Sequence, residues 1–237
     1  MKFLDLTLAS PAANLAYDEV LLDSCEQSGS EEILRFWEPV EYFVVLGYAN
    51  RVASEVNVAE CSRRKIPIFR RCSGGGTIVQ GPGCVNYSLI LDFSKQPSLA
   101  TITETNRQIM ERNRDIFRKL LGVEVEVKGH TDLTLHGVKF SGNAQRRRKT
   151  HLLFHGTFLL NFEIGLIKFF LKMPSLQPGY RENRSHEKFL TNIDCSGKDV
   201  KSALQAGWGA DKLLNEVPAV TEEALKKYQN AEWNFRF

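Results

Sequence analysis

Two arginines, Arg70 and Arg71, stand just before the three consecutive glycines of residues 74–76. Glycine has no Cβ atom, so its amide can lie directly against a ligand, and arginine offers forked donors that suit a carboxylate or a phosphate. Apolar segments at residues 66–69 and 85–91 flank this stretch and predict buried strands on either side of it. A binding loop and a flexible surface loop with solvated arginines both stay open from these residues alone.

A second group of polar side chains lies around the dipeptide His136-Gly137, which predicts a two-residue hairpin turn. With that turn, Asp132 faces Ser141 and lies diagonal to Lys139, at roughly 7 to 8 Å between Cα atoms. The side chains of Asp132 and Lys139 could then meet directly, or through an ion or a phosphate. The outer face of a hairpin is often only solvated, so the hairpin alone allows either a wet surface or part of an active site.

Hydrophobic periodicity predicts the elements that must hold these two stretches in place. Helices are predicted at residues 12–25, 54–65, 109–121, 163–172, 196–205 and 222–229. Strands are predicted at residues 1–8, 33–37, 42–46, 123–128 and 152–162. The proline-containing and charged residues 173–189 predict a mobile loop of a length that is often found in lids.

The composition is that of an ordinary globular protein, with 237 residues of which 43% are hydrophobic and 25% are charged. The net charge of +3 is too small to indicate a nucleic-acid partner. The five cysteines form no Cys-x-x-Cys pair and have no His at ligand spacing, which argues against a zinc site and favours a reducing, cytoplasmic setting. Neither a signal-peptide pattern nor an apolar run of 18 residues occurs, so no membrane association is expected.

Six short motifs together resemble the lipoate-protein ligase family, whose relatives are the biotin ligases and the octanoyl transferases. Each motif is weak by itself, but all six follow the family's order and spacing over nearly the whole chain. They are Asn14-Leu-Ala-Tyr-Asp-Glu, Trp37 with Gly47 and Asn50, Arg70-Arg-Cys-Ser-Gly-Gly-Gly, Thr131-Asp-Leu, Gly137-Val-Lys-Phe-Ser-Gly-Asn-Ala and His155-Gly-Thr.

The resemblance implies an α+β fold, in which a mixed, largely antiparallel sheet is flanked by helices as in the biotin/lipoate ligase catalytic domain. It also implies that lipoate is attached to a lysine with ATP, by way of a lipoyl-adenylate. Lys139 would be the catalytic residue that stabilises charge in both steps, and Asp132 would anchor Mg²⁺. The residues implied to bind lipoate or the adenylate are Arg70, Ser73, Gly74, Gly75, Gly76, Thr77, Asn86, Ser141, Gly142, Ala144, His155 and Gly156.

The family also implies cofactors and partners. The small molecules are ATP, Mg²⁺ and lipoate, and the acceptors are lipoyl domains of 2-oxoacid dehydrogenase E2 subunits and the H protein of the glycine-cleavage system. Glu232-Trp-Asn-Phe resembles the point where the catalytic domain of two-domain members ends. Residues 1–237 are therefore expected to form a single catalytic domain without a C-terminal accessory domain. A separate accessory subunit is expected to speed adenylate formation.

Gln80 leaves a second interpretation open, in which the protein is an acyl transferase. The ligases usually carry a His at this position, and the Gly81-Pro82-Gly83 that follows resembles the octanoyl transferases. Such an enzyme would move an octanoyl or lipoyl group without ATP, through a cysteine thioester or from a preformed adenylate. The cysteines considered for that route are Cys72, Cys84 and Cys195.

Two basic runs, residues 63–65 and 146–149, allow a third hypothesis, a non-catalytic nucleic-acid binder. The low net charge and the lack of an aromatic-rich RNA or DNA motif beside either run argue against it. Arg63, Arg64 and Lys65 also suit the C-terminal end of a helix, where cations interact favourably with the dipole.

Overall fold

Strands and helices alternate along the chain, and the structure, a computed structural model, describes residues 1–29 and 32–237. The strands are β1 (Lys2–Asp5), β2 (Ile33–Trp37), β3 (Phe43–Leu46), β4 (Ile68–Arg70), β5 (Ile78–Gln80), β6 (Cys84–Asp92), β7 (Glu126–Lys128), β8 (Asp132–Leu135), β9 (Val138–Arg147), β10 (His151–Leu159) and β11 (Lys212–Leu213). The helices are α1 (Pro11–Ser28), α2 (Val52–Glu55), α3 (Val58–Arg63), α4 (Ile102–Leu121), α5 (Ile167–Phe170), α6 (His186–Phe189), α7 (Gly197–Trp208), α8 (Glu222–Gln229) and α9 (Ala231–Asn234).

Strand β6 lies inside the larger sheet, and all of its residues are buried. The described strands of that sheet follow the order β11-β1-β2-β6-β10-β9-β8-β7. Only the contacts of β1 with β11 and with β2 are parallel, and the other pairs are antiparallel. A smaller sheet has the order β4-β3-β5. The predicted fold class, a mixed and largely antiparallel sheet flanked by helices, is confirmed.

Helix α4 covers one face of the larger sheet. Its ends follow ordinary capping chemistry, because the Thr101 hydroxyl accepts from the amide of Glu104 at 3.1 Å and Gly122 adopts the left-handed conformation with φ 66°. Ile109 and Phe117 from this helix are fully buried against residues of the sheet. None of the helices among the described residues is long and apolar enough to span a bilayer.

Helix α1 covers the opposite face. It begins with Pro11 at its first turn, behind a Ser10 hydroxyl that accepts from the amide of Ala13 at 3.2 Å. Its buried Leu21 and Leu22 pack against apolar residues of the sheet. The same helix carries Leu15 and Asp18 into the space between the two sheets, where the candidate site lies.

Two predicted helices differ from the observed ones. The predicted helix at 54–65 is divided into α2 and α3, because Val56 is extended and the Asn57 side chain accepts from the amide of Glu60 at 3.3 Å, which caps a new helix. The apolar residues 163–172 contain only a short 3₁₀ turn and α5. In both places apolar periodicity predicted burial correctly but not the local hydrogen bonding.

Candidate active site

One face of the larger sheet carries a row of residues that crosses five strands. Trp37, Asn86, Thr157, Gly142 and Asp132 are successive register partners on β2, β6, β10, β9 and β8. Directly paired residues point to the same face, and neighbouring strands are about 4.8 Å apart, so the row is about 19 Å long. A long, narrow ligand could therefore lie along it.

A second row lies beside the first. Arg35, Ser88, His155 and Ala144 are register partners on β2, β6, β10 and β9. Above the two rows, α1 and the glycine-rich loop enclose a cavity of about 550 Å³. Many of the residues predicted for the site line this cavity: Lys139, Asp132, Gly75, Gly76, Thr77, Asn86, Ser141, Gly142, Ala144, His155 and Gly156.

Lys139 and Asp132 form the charged end of the first row. The Lys139 ammonium lies 2.8 Å from Asp132 Oδ1, and the Tyr180 hydroxyl donates to Asp132 Oδ2 at 2.7 Å. Both charged side chains are partly shielded, with 23% of Lys139 and 12% of Asp132 exposed. The hairpin allowed a direct contact or one bridged by an ion or a phosphate, and the structure shows the direct one, with the lysine lining the cavity.

The hairpin itself differs from the prediction by one residue. His136 and Gly137 both have positive φ, 49° and 74°, as a two-residue turn of this kind requires. The register then shifts, so that Asp132 pairs with Gly142 and not with Ser141. The irregularity leaves Phe140 extra in β9, and the ring of Phe140 is buried 5.4 Å from the ring of Phe117. An apolar-polar alternation cannot reveal such a bulge.

The bulge changes what two of the predicted residues can do. Ser141 pairs with Leu133, so its side chain turns to the face covered by α4, where Asn143 Nδ2 lies 3.3 Å from its hydroxyl. Gly142 moves onto the cavity face beneath Lys139. A Cβ atom at Gly142 would lie 2.6 Å from the Lys139 nitrogen, so only glycine leaves the ammonium where it is.

The glycine-rich loop is held from inside by Arg71. Its guanidinium donates to the carbonyls of Gly74 at 2.7 Å and Gly76 at 2.8 Å, and to the hydroxyl of Ser73 at 3.1 Å. Burial lowers the pKa of Arg71 to about 10, which leaves it charged at neutral pH. Gly75, with φ 84°, could not carry a side chain without strain, and the three glycines are exposed. The loop therefore presents backbone to the cavity mouth on a fixed support.

Arg70 does not face the cavity, in contrast to the expectation. It is fully buried, and its guanidinium donates to the carbonyls of Gly47, Tyr48 and Asn50 at 2.8, 3.0 and 2.9 Å. It also reaches the carbonyl of Asn234 at 3.1 Å. Arg70 thus ties the 47–50 turn to α9, and its role is to position the loop that follows it.

Two of the predicted residues, Ser73 and Gly74, do not line the cavity. Ser73 is buried beneath the loop, and Gly74 is exposed to solvent. The Ser73 hydroxyl lies 2.6 Å from His155 Nε2, and His155 Nδ1 lies 2.9 Å from Asp18 Oδ2. Asp18 also accepts from Arg35 at 2.6 Å and from Ser88 at 2.8 Å. This chain of contacts joins the loop to the sheet and to α1.

Asp18 is buried and ionised in this network. Burial opposes the charge, but the Arg35 guanidinium and the hydrogen bonds from His155 and Ser88 hold the pKa of Asp18 below its usual value. The sequence contained Asp18 within its first motif, yet no pattern of types or spacing linked it to His155, which lies 137 positions further on.

Polar side chains also line the middle of the first row. Gln80 Nε2 donates to Asn86 Oδ1 at 2.9 Å and to Thr157 Oγ1 at 2.7 Å, and Asn86 Nδ2 returns a bond to Gln80 Oε1 at 3.1 Å. Gly156 lies between His155 and Thr157 on β10, but its Cα faces the other way: a Cβ there would lie 1.8 Å from Asn143 Oδ1. Gly156 therefore makes room for Asn143 on the α4 side.

The segment predicted as a lid lies along the cavity. Pro174, Leu176, Gln177 and Pro178 line it, and the Arg184 guanidinium donates to the carbonyl of Gly137 at 3.2 Å. With the Tyr180 contact to Asp132, this holds the segment against the hairpin. The position of this segment beside the cavity is the one that a lid would occupy. Its mobility stays a prediction.

The cysteines do not offer an activated thiol. Among the described residues, none of those lining the cavity is a cysteine. Burial raises the pKa of Cys72 and of Cys84 to about 12, and that of Cys195 to about 11. A thiolate nucleophile needs a lowered pKa and access to the acyl group, and these three positions have neither.

The basic runs are partly paired within the chain. Arg63 and Arg64 share Glu60 at 2.6 and 2.5 Å, and Arg148 pairs with Asp23 at 2.7 Å. The Arg147 guanidinium donates to the carbonyl of Leu99 at 2.9 Å. These contacts tie much of both runs to the fold and reduce the charge that either run presents to a nucleic-acid backbone.

Asp132 could bind a metal ion together with groups of a substrate. Within residues 1–29 and 32–237, no group of three or more His, Cys, Asp or Glu side chains could hold a metal ion. Mg²⁺ is usually bound by one or two carboxylates together with substrate phosphates. Asp132 fits that pattern as a single carboxylate beside the cavity, provided that a Lys139 or Tyr180 contact is released.

Comparison with known families gives one match over most of the chain. A family model described as the lipoyl protein ligase A/B catalytic domain matches residues 10–205. The probable lipoate-protein ligase A of Mycoplasma pneumoniae is 26% identical over 241 residues, which are 95% of this chain and 68% of that protein. The octanoyltransferase LipM of Carboxydothermus hydrogenoformans is 27% identical over 267 residues, which are 100% of this chain and 98% of that protein.

Solved structures give the same picture of the fold. A lipoate-protein ligase A bound with ATP has a TM-score of 0.80 and 26% sequence identity, over 99% of each chain. A bi-partite lipoate-protein ligase from Thermoplasma acidophilum, studied with its E2 lipoyl domain, has a TM-score of 0.83 and 24% identity over 99% of this chain and 95% of that chain.

Proposed function

The chain belongs to the lipoyl protein ligase A/B catalytic-domain family, and we propose that it attaches lipoate to a lysine of a lipoyl-carrier domain in two ATP-dependent steps. The observation that carries the proposal is that the Lys139 ammonium, at one end of the long row on the sheet, lines the same cavity as the glycine-rich loop that Arg71 fixes. A cation and exposed amides at the end of a narrow cavity suit a carboxylate that reacts with a phosphate.

In the first proposed step, a carboxylate oxygen of lipoate attacks the α-phosphorus of ATP. The bond from that phosphorus to the bridging oxygen breaks, and pyrophosphate leaves with the electron pair. Negative charge grows on the phosphoryl oxygens, and Lys139 is the described cation of the cavity best placed to stabilise it. The carboxylate would therefore lie at the Lys139 end of the row.

In the second proposed step, the ε-amine of the acceptor lysine attacks the carbonyl carbon of the lipoyl-adenylate. The carbon–oxygen bond to AMP breaks, and the amide forms after the nitrogen loses its proton. The carbonyl oxygen becomes an oxyanion for a moment, and the same ammonium can hold it. One fixed lysine thus serves both steps, because both build negative charge at the same end of the cavity.

The acyl chain would extend from Lys139 toward Trp37. Leu15, Trp37 and Val45 give that end apolar walls, whereas Asp132 and Lys139 make the other end charged. Burial of the hydrocarbon against such walls is favourable at about 25 cal/mol per Å² of apolar surface. The polarity of the cavity therefore sets the direction of the substrate.

Asp132 is the proposed carboxylate for a phosphate-bound Mg²⁺. When bound, the ion would offset the charge of the triphosphate. To bind the ion, one carboxylate oxygen of Asp132 has to become free. Oδ1 would become free if the Lys139 ammonium turned from Asp132 toward the substrate.

The proposed acceptors are lipoyl domains of E2 subunits and the glycine-cleavage H protein. The Thermoplasma relative, a bi-partite ligase named together with its E2 lipoyl domain, supports the first of these and also a separate accessory subunit. We propose that such a subunit speeds adenylate formation more than it speeds transfer.

A transferase is the second candidate, and the LipM relatives of nearly equal length favour it. The buried, high-pKa thiols argue against its cysteine route. Lipoate-dependent exchange of pyrophosphate into ATP separates the two candidates. If the chain is a ligase, the purified chain should exchange pyrophosphate into ATP at a rate that rises with the lipoate concentration, with or without an accessory protein. No exchange, together with octanoyl transfer from a thioester in the absence of ATP, would replace the ligase with the transferase.

A further inference from the structure

Two arginines, Arg146 and Arg236, lie over the ring of Tyr48, and Arg51 follows Tyr48 closely in the chain; these three are here called the arginine rim. The guanidinium carbons of Arg146 and Arg236 lie 5.8 and 5.1 Å from the centre of the Tyr48 ring. Arg51 belongs to the same turn as Tyr48, and the amide that follows it, that of Val52, donates to the carbonyl of Phe237 at 3.1 Å. The rim therefore joins the 47–50 turn, β9 and the segment after α9.

The rim is not neutralised within the chain. Exposed arginines elsewhere pair with carboxylates, as Arg107 does with Glu104 at 2.7 Å. No carboxylate side chain of the described residues forms such a pair with the rim, although Glu232 belongs to the same segment as Arg236. The Nε atom of Arg146 is buried without a hydrogen-bond partner. Like charges without a carboxylate partner give this part of the surface a positive potential, which suits a negatively charged partner.

The rim adjoins the glycine-rich loop at the mouth of the cavity. The Tyr48 amide donates to the carbonyl of Ser73 at 2.8 Å, and a Cβ on Gly47 would lie 2.1 Å from the carbonyl oxygen of Gly75. Ala144 lines the cavity, and Arg146 lies two residues further along the same face of β9. A macromolecule that approaches the glycine-rich loop from this side would contact the rim.

We propose that the arginine rim docks an acidic surface next to the target lysine of the acceptor domain. The proposal rests on the proposed function, because it names the partner of that site. Tyrosine, tryptophan and arginine are enriched at interface centres, and Trp233 and Phe237 flank the rim, with Phe237 48% exposed. Complementary charge raises the rate of encounter and selects among acceptors.

The experiment is a titration of an E2 lipoyl domain onto the purified chain at low salt, with Arg51→Glu/Arg236→Glu compared with the wild type. We expect the Kd to rise about tenfold in the double variant, because two attractive contacts become repulsive. Arg236→Lys, which keeps the charge, and Arg107→Glu, which reverses a charge on helix α4 on the other face of the sheet, should bind like the wild type. Unchanged thermal unfolding of each variant shows that the fold is kept.

Transfer measurements separate docking from chemistry. With preformed lipoyl-adenylate, the double variant should show a higher KM for the lipoyl domain but an unchanged rate with hydroxylamine, which needs no docking surface. An unchanged Kd for the lipoyl domain in the double variant overturns the proposal. So does a loss of rate with hydroxylamine that equals the loss with the lipoyl domain, or a finding that the rim joins two copies of the chain. The direct titration needs no turnover, so docking is tested even if the ligase proposal fails.

Discussion

The Cα atom of Gly142 lies directly beneath the ammonium of Lys139, and an added Cβ would come within 2.6 Å of that nitrogen and 2.8 Å of the carbon before it. Those atoms are the far end of a flexible side chain, so Gly142→Ala should move the lysine and leave the fold intact. We expect a loss of about 100-fold or more in lipoyl transfer, as for other displaced oxyanion-stabilising groups, with little change in thermal unfolding.

Gly179→Ala is the matched control for that variant, since a Cβ at Gly179 meets no atom within 4 Å. It should keep nearly wild-type activity. A Gly142→Ala enzyme that is as active as the control would show that the position of the Lys139 ammonium is not what the reaction depends on.

Asp18 should make the stability of the protein depend on acid pH. Its folded pKa is lowered, so its contribution is present above the unfolded value of about 3.9 and is lost as the pH falls through the folded value. Asp18→Asn leaves Arg35 buried without a charge partner, which should cost about 3 to 5 kcal/mol at pH 7. The difference in the free energy of unfolding between Asp18→Asn and the wild type should become smaller below about pH 4.

Urea unfolding at pH 7 and pH 3 measures both effects. Asp115→Asn, at an exposed carboxylate on α4, serves as the control and should change neither curve. If Asp18→Asn lowers the free energy of unfolding by the same amount at both pH values, the network is stabilised by packing and not by the charge of Asp18.

Replacing Cys72, Cys84 or Cys195 singly by Ser should leave ATP-dependent transfer within about tenfold of the wild type. An adenylate route uses no thiol, and burial keeps these three groups protonated at neutral pH. The assay is lipoylation of an E2 lipoyl domain followed by intact mass. An inactive Ser variant, together with an acyl group trapped on the same cysteine in the wild type, would instead establish the thioester transferase.

The family resemblance was sufficient to predict the fold class, and the hairpin pattern placed Lys139 close enough to Asp132 for a direct or a bridged contact. They could not predict the bulge at Phe140, because a single extra residue in a strand leaves no mark in an alternating pattern. Nor could they tell Arg70 from Arg71. The two are neighbours in one motif, yet one is buried among the carbonyls of the 47–50 turn and the other supports the glycine loop.

Contacts between distant segments set a second limit. Tyr180 reaches Asp132 from a segment that sequence periodicity treats as a loop, and Asp18 reaches His155 from the first helix. Neither pair has a fixed spacing, because the fold and not the local sequence brings its members together. Such contacts become visible only once the register of the sheet is known.

The central claim is that the Lys139 ammonium stabilises the charge that develops in both steps. The most direct test is the rate of ATP-dependent lipoylation of an E2 lipoyl domain by Lys139→Ala, compared with the wild type and with Lys119→Ala, which removes an exposed lysine from helix α4 on the other face of the sheet. Loss of a charge that acts in the transition state should cost at least a few kcal/mol. We therefore predict that Lys139→Ala keeps less than a tenth of the wild-type rate while unfolding at the same temperature, and that Lys119→Ala is unaffected. A folded Lys139→Ala enzyme that works at more than a tenth of the wild-type rate would contradict the assignment.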